Sequence, residues 1–222
     1  AENNCYLGHI MSWKRMWEDG LLGDFMYAEA EYVHDIRSLL RQPDGSPTWR
    51  ASRPPIVYCT HSLGPLMKVT GERCTLALGL NTGSKLEPDL GHIDFGVGVF
   101  QTASGGAMKV LRAQAVAREP AMHNYTIYGT KGCLETARPP YDMRTNAYLE
   151  SVPHLHGMIE MPLKGDVPHA PAEAYAGGHG TVEYYMVRDF IQAIVNDGKP
   201  PIDIELGWNM TVPGLCAHES AV

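Results

Sequence analysis

The chain has 222 residues, 44% hydrophobic and 19% charged, which suits one domain with a sizeable core and excludes a disordered chain. Eighteen basic residues against 25 acidic give a net charge of -7, so no basic field exists for phosphate backbones and nucleic acid is not an expected partner. No apolar run approaches the roughly 18–20 residues that cross a bilayer, so no membrane role is expected.

Leu7, Ile10, Met11, Trp17 and Leu21 recur near helical spacing, predicting a helix over 6–19 that stops at Gly20. Gly23-Asp24 turns the chain into a strand over 25–34. Alternation there puts Met26, Ala28, Ala30, Tyr32 and His34 on one face. Residues 37–56 carry Arg, Pro, Ser, Asp and Gly, the composition of a long loop, and such loops are usually functional or disordered. A short helix over 61–70 ends at Gly71, with Pro65 expected near its first turn. Strands follow over 73–80, 92–102, 107–117, 122–129 and 132–136, joined by short turns that argue for antiparallel pairing. Residues 137–176 read as irregular, with one further strand near 157–161. A helix over 181–196 carries the apolar stripe Tyr184, Val187, Phe190, Ile191 and Ile194. Asp203 is placed to cap a last helix running to about 220, kinked at Pro213. The order predicts an α+β domain, with helices on one face of a mainly antiparallel sheet.

Five cysteines (Cys5, Cys59, Cys74, Cys133, Cys216) are odd in number and form no C-x-x-C, so reduced thiols in a cytoplasmic setting are expected. The opening residues read as the continuation of a longer chain. No G-x-G-x-x-G lies between a strand and a helix, and Gly96-Val97-Gly98 sits inside a strand. No Walker loop, H-E-x-x-H or G-x-S-x-G occurs. His154, His156 and His169 lack supporting carboxylates or cysteines, so no metal is expected.

Four groups could carry chemistry. Tyr32 and His34 project from one strand face and either rim a pocket or finish the sheet. His61 opens a helix after a long loop, with Tyr58 three residues earlier; the pair either lines a cleft or caps and packs the helix. A helix N-terminus there disfavours imidazolium and leaves a ring able to accept a proton. Trp49-Arg50 either grips a substrate hydroxyl or carboxylate or forms a surface contact. Gly177-Gly178-His179-Gly180 is either an anion site at a helix start or a flexible joint. Cys59 reads as structural.

Taken in order, several segments resemble the C-terminal domain of the Gfo/Idh/MocA oxidoreductases. These are Ala1-Glu2-Asn3, Gly23-Asp24, Ala30-Glu31-Tyr32-Val33-His34-Asp35, Trp49-Arg50, Tyr58-Cys59-Thr60-His61-Ser62-Leu63-Gly64-Pro65, Tyr128-Gly129-Thr130-Lys131-Gly132 and Gly178-His179-Gly180. The resemblance spans nearly all 222 residues, and its branch looks similar to the NAD-dependent N-acetylgalactosaminidases. It implies a single substrate-binding and oligomerisation domain over 1–222, whose large open sheet makes the oligomer interface. It implies that a Rossmann domain binding NAD or NADP lies outside these residues. The expected activity is that of an oxidoreductase acting on a sugar or cyclitol as a homodimer or homotetramer, with this chain alone inactive. The alternatives are an NAD-dependent glycosidase domain and a non-catalytic module. Carried over by position, Glu2 and His34 would touch the dinucleotide. Tyr32, Arg50, Tyr58 and His61 would surround the sugar, with Trp49 and His179 as further substrate contacts. His61, Tyr58 and Tyr32 are the catalytic candidates. The family's dehydrogenases more often carry Asp three or four residues before the matching His, where this chain has Tyr58.

Overall fold

A computed structural model describes residues 2–138 and 144–222. Ala1, part of the quoted resemblance, lies outside the described residues. Eight strands form one sheet: β1 (Phe25–Val33), β2 (Cys74–Asn81), β3 (Phe95–Thr102), β4 (Ala107–Ala113), β5 (Met122–Gly129), β6 (Gly132–Thr136), β7 (Thr145–Leu149) and β8 (Ile159–Met161). Their spatial order is β2-β3-β4-β1-β5-β6-β7-β8. Among the described residues only the β1–β4 pairing is parallel, and every other strand pairing is antiparallel. The sheet is therefore mainly antiparallel, as the short turns predicted. The first strand sits in its middle because α2 carries the chain away before β2–β4 return alongside it.

Four α-helices accompany the sheet: α1 (Gly8–Glu18), α2 (Thr60–Thr70), α3 (Val182–Val195) and α4 (Ile204–Ala221). Between one sheet face and α1, α2 and α4 lies the main core, including Ile10, Trp13, Ala28, Ala30, Leu63, Leu66, Phe100, Val110, Ile127 and Met210. The predicted face of β1 is the one that packs here, through Ala28 and Ala30. Gly79 lets α4 approach β2 backbone to backbone: a Cβ there would stand 1.8 Å from the Ala217 carbonyl oxygen. The opposite sheet face is open at the β2–β3 edge, where Leu76, Leu78, Leu80 and Val99 are exposed.

Several sequence expectations shift. Trp13, absent from the predicted stripe, is the fully buried anchor of α1, and its Nε1–H donates to Thr145 Oγ1 at 2.9 Å. That threonine belongs to β7, a strand within the segment read as irregular. Its Thr145, Ala147 and Leu149 alternate inward, but five residues are too few to stand out from flanking Arg and Pro. The α3 stripe is mostly not core: Val187, Phe190, Ile191 and Ile194 are exposed, while Val182 and Tyr185 pack beneath. Asp203 does cap α4, accepting from the Leu206 amide at 2.9 Å. Among the described residues no helix is long and apolar enough to cross a membrane.

Candidate functional site

Pro65 lies in the second turn of α2, not the first. Proline has no N–H, so the His61 carbonyl loses its partner four residues on. A side chain from the sheet replaces it: the Tyr125 hydroxyl donates to His61 O at 2.6 Å. Asn4 Nδ2 in turn donates to the Tyr125 oxygen at 2.9 Å. A helix start is thus pinned to β5 and to the 3-10 turn Asn3–Tyr6. Gly64 makes the close fit possible, since a Cβ there would stand 3.1 Å from Glu2 Cγ and 3.3 Å from Cys5 Sγ. Cys59 is fully buried, its thiol donating to Met210 O at 3.3 Å, and burial pushes that thiol up to about 12.

His61, held this way, joins two of the predicted residues. Its Nδ1 is 2.7 Å from Glu2 Oε1, and Glu2 is only 4% exposed. The pair is close but not aligned as a hydrogen bond, so Glu2 acts on the ring as a charge. With the proton on Nδ1, facing that carboxylate, Nε2 is the acceptor. Nε2 meets the Tyr58 hydroxyl at 2.8 Å. Carboxylate, imidazole and phenol therefore form one line.

Sheet register supplies the floor. Tyr32 is abreast of Arg112 on β4 and of His123 on β5. The three side chains share one row, so Arg112 Cζ lies 3.7 Å from the Tyr32 ring centroid and the His123 ring stacks at 3.9 Å. Arg112 is 1% exposed and donates through Nη1 to the carbonyl of Tyr32 at 3.1 Å and also to that of Ala113. Burial lowers its pKa to about 10. Burial also holds His123 at about 3, with help from the charge of Arg112, so it is neutral. Its Nδ1 is 3.1 Å from Asn4 Nδ2. The Tyr32 hydroxyl reaches His34 Nδ1 at 2.9 Å. Burial raises the Tyr32 phenol and lowers His34, with Arg112 opposing the first shift and adding to the second.

The remaining candidates stand further out. Trp49 is 60% exposed, with Arg50 Cζ 4.4 Å and Arg53 Cζ 4.8 Å from its ring. Arg53 also covers Tyr58 at 4.4 Å, linking the loop to the site. His179 is exposed and pairs with Glu183, beside an open hollow that includes Leu7, Asp166 and Tyr175. Among the described residues no hydrogen bond or ion pair joins it to the His61 group, although it is near enough to act electrostatically on His123. The glycines before α3 do not form an open anion site: Asp166 Oδ1 already accepts from the Thr181 amide at 3.1 Å. Sequence reasoning missed Arg112, His123, Tyr125, Asn4 and Arg53. The first three needed the register between distant strands, and Arg53 offered only its proximity to Trp49-Arg50. Among the described residues no group of three or more His, Cys, Asp or Glu side chains is arranged to hold a metal.

No family model matches this chain. It is 27% identical over 245 aligned residues to a glycosyl hydrolase family 109 protein of Solibacter usitatus, covering 99% of this chain and 55% of that protein. It is 24% identical to the alpha-N-acetylgalactosaminidase of Tannerella forsythia, covering 91% and 52%. The chain thus spans about half the length of the curated relatives it matches. Among solved structures, levoglucosan dehydrogenase in complex with NADH matches at TM-score 0.76 and 17% identity, over 99% of this chain and 62% of that one. An oxidoreductase domain protein from Kribbella flavida matches at TM-score 0.78 and 18% identity, over 99% and 62%. The chain is similar in sequence to glycosyl hydrolase family 109 proteins and shares the fold of these oxidoreductase structures, in keeping with the resemblance that the order of its motifs carried.

Proposed function

We propose that this chain is the substrate-binding domain of an NAD(P)-dependent oxidoreductase acting on a sugar or cyclitol. The observation that carries the reading is the line Glu2–His61–Tyr58, with 2.7 Å and 2.8 Å between successive partners. Such a line moves a proton. A substrate hydroxyl gives its proton to Tyr58 Oη, and Tyr58 passes its own to His61 Nε2. The imidazolium that forms lies beside the Glu2 carboxylate, the logic of a base oriented by a buried acid. Bound NAD or NADP supplies the hydride acceptor. The residues here suit its nicotinamide end alone. His34 is tied to Tyr32 through Nδ1, and Nε2 makes no hydrogen bond among the described residues. Among the described residues no Gly-rich loop is shaped to cradle a pyrophosphate, and the proposal accordingly assigns the dinucleotide mainly to a separate Rossmann domain.

The same line serves a second reading, favoured by the names of the curated relatives: an NAD-dependent glycosidase that oxidises, eliminates and reduces in turn. We further infer a cytoplasmic protein, since all five cysteines are unpaired. We infer a homodimer or homotetramer closed by the open sheet face of Leu76, Leu78, Leu80 and Val99.

The test begins with the intact mass of the protein as its source makes it. A mass one domain above this chain supports the reading. A mass equal to it favours a non-catalytic binding module. The complete protein is then assayed with NAD and sugars, and separately with an aryl N-acetylgalactosaminide. Net NADH formation marks the dehydrogenase, and aryl release without net NADH marks the glycosidase. Tyr58→Phe should lower kcat about 10²–10⁴-fold with dinucleotide binding unchanged. Retention of full kcat would exclude Tyr58 as the proton carrier.

A further inference from the structure

The chain carries a net charge of -7, yet the charges that act on Tyr58 are two guanidiniums, Arg53 and Arg112, against the single carboxylate of Glu2. Glu2 is committed to His61. Among the described residues neither arginine forms an ion pair, and no carboxylate contributes to the electrostatics of either one. Arg112 is buried among Tyr32, Tyr58 and backbone carbonyls. Arg53 is half-buried, with its Cζ 4.8 Å from the Trp49 ring centroid and 4.4 Å from that of Tyr58. The Nε atoms of both are buried and lack a hydrogen-bond partner. Elsewhere this chain pairs such forks readily, as Arg37 does with Asp35 and Arg41 with Glu87. A guanidinium withdrawn from water without a counter-charge is unfavourable unless the working complex supplies an anion. Its planar fork matches a carboxylate through two parallel hydrogen bonds.

We propose that the site selects a carboxylate-bearing sugar, with Arg53 as the contact and Arg112 as the charge behind it. This rests on the sugar-binding reading above. Arg53 lies at the Tyr58 ring, within reach of a substrate whose hydroxyl meets Tyr58 Oη. Arg112, one layer deeper, adds positive potential to the same wall and makes an anionic substituent favourable there.

The test is side-chain NMR of the complete protein labelled with ¹⁵N-arginine. It is titrated separately with D-glucuronate, D-glucose, sulfate and NAD at fixed ionic strength. The expected result is a saturable shift of the Arg53 Nε–H with glucuronate, and a Kd for glucuronate about tenfold or more below that for glucose. Arg53→Gln should abolish the preference and leave the weaker glucose binding in place, and Arg53→Lys should restore only part of it. Equal affinity for the two sugars overturns the proposal, as does silence of Arg53 with glucuronate. An equal shift with sulfate reduces the site to plain anion binding, and displacement of glucuronate by NAD assigns Arg53 to dinucleotide phosphate; either result overturns it too. The two readings fail separately. Glucuronate preference without any turnover in the complete protein defeats the oxidoreductase reading alone. Oxidation of neutral sugars, with a uronate-to-hexose ratio of kcat/KM unmoved by Arg53→Gln, defeats this one alone.

Discussion

Tyr125→Phe removes one oxygen from the support of His61. That hydroxyl donates to the His61 carbonyl at 2.6 Å and accepts from Asn4 at 2.9 Å. Depriving a buried acceptor of its donor costs roughly 1–3 kcal/mol. Asn4 Nδ2 stands at 3.4 Å from the same carbonyl as a weak substitute, so a loss of about 2 kcal/mol is expected. For 222 residues, an unfolding entropy of ~2.1 cal/mol/K per residue gives ~0.47 kcal/mol/K, and Tm falls by about 4 °C. Pro65→Ala offers a decisive second arm. It restores a backbone N–H four residues beyond His61, so the carbonyl no longer depends on Tyr125. In that background Tyr125→Phe should cost about 1 kcal/mol less, a coupling measurable by urea and thermal unfolding of the four proteins. Costs that add to within roughly 0.3 kcal/mol would show that the hydroxyl does not stand in for the missing amide.

Acid should destabilise the fold well before its carboxylates titrate. His9 and His123 are held neutral by burial, with pKa values of about 4 and about 3 against an ordinary 6.5. The unfolded chain takes up these protons first, so stability present above pH 6.5 is lost as the pH falls toward the folded values. At pH 5 the two together should remove about 4 kcal/mol, and a urea midpoint unchanged between pH 7 and 5 would contradict this. Gly64→Ala forces a methyl against Glu2, Met210 and Cys5 at 3.1–3.3 Å. It should lower stability by roughly 1–3 kcal/mol, and an unmoved Tm would show that the turn yields freely. Cys216 is exposed while Cys5 and Cys59 are buried, so a thiol reagent should label Cys216 at once and the other two only in denaturant; rapid labelling of Cys59 in the native protein would be inconsistent with its place in the core.

Local chemistry made much of this legible. Gly20 and Gly71 both adopt the left-handed conformation, with φ of 73° at each, and end their helices where the sequence placed the stops. The alternation of β1 identified Ala28, Ala30 and Tyr32 as one face, and that face is the one beneath the helices. Tyr58 and His61 were paired from spacing alone, and their 2.8 Å hydrogen bond is a one-turn contact that spacing can encode. The helix-start argument for His61 omitted its main neighbour, because Glu2 is 59 positions away along the chain. The α3 stripe misled for the converse reason: periodicity shows that a helix has an apolar face, not what covers it.

The sequence by itself determined most element types and boundaries, the α+β class and the ordered motifs that resemble one family. Each of these is local or follows from short turns. Tertiary structure alone decided that β1 lies between β4 and β5, and so put Arg112, Tyr32 and His123 in one row. A strand's side-chain pattern has period 2 whatever its neighbour, so register across long loops leaves no mark in either strand's own residues. The unpaired charge of Arg112 is equally invisible in composition. It follows from which groups the packed sheet brings near that guanidinium, and from the absence of a carboxylate among them.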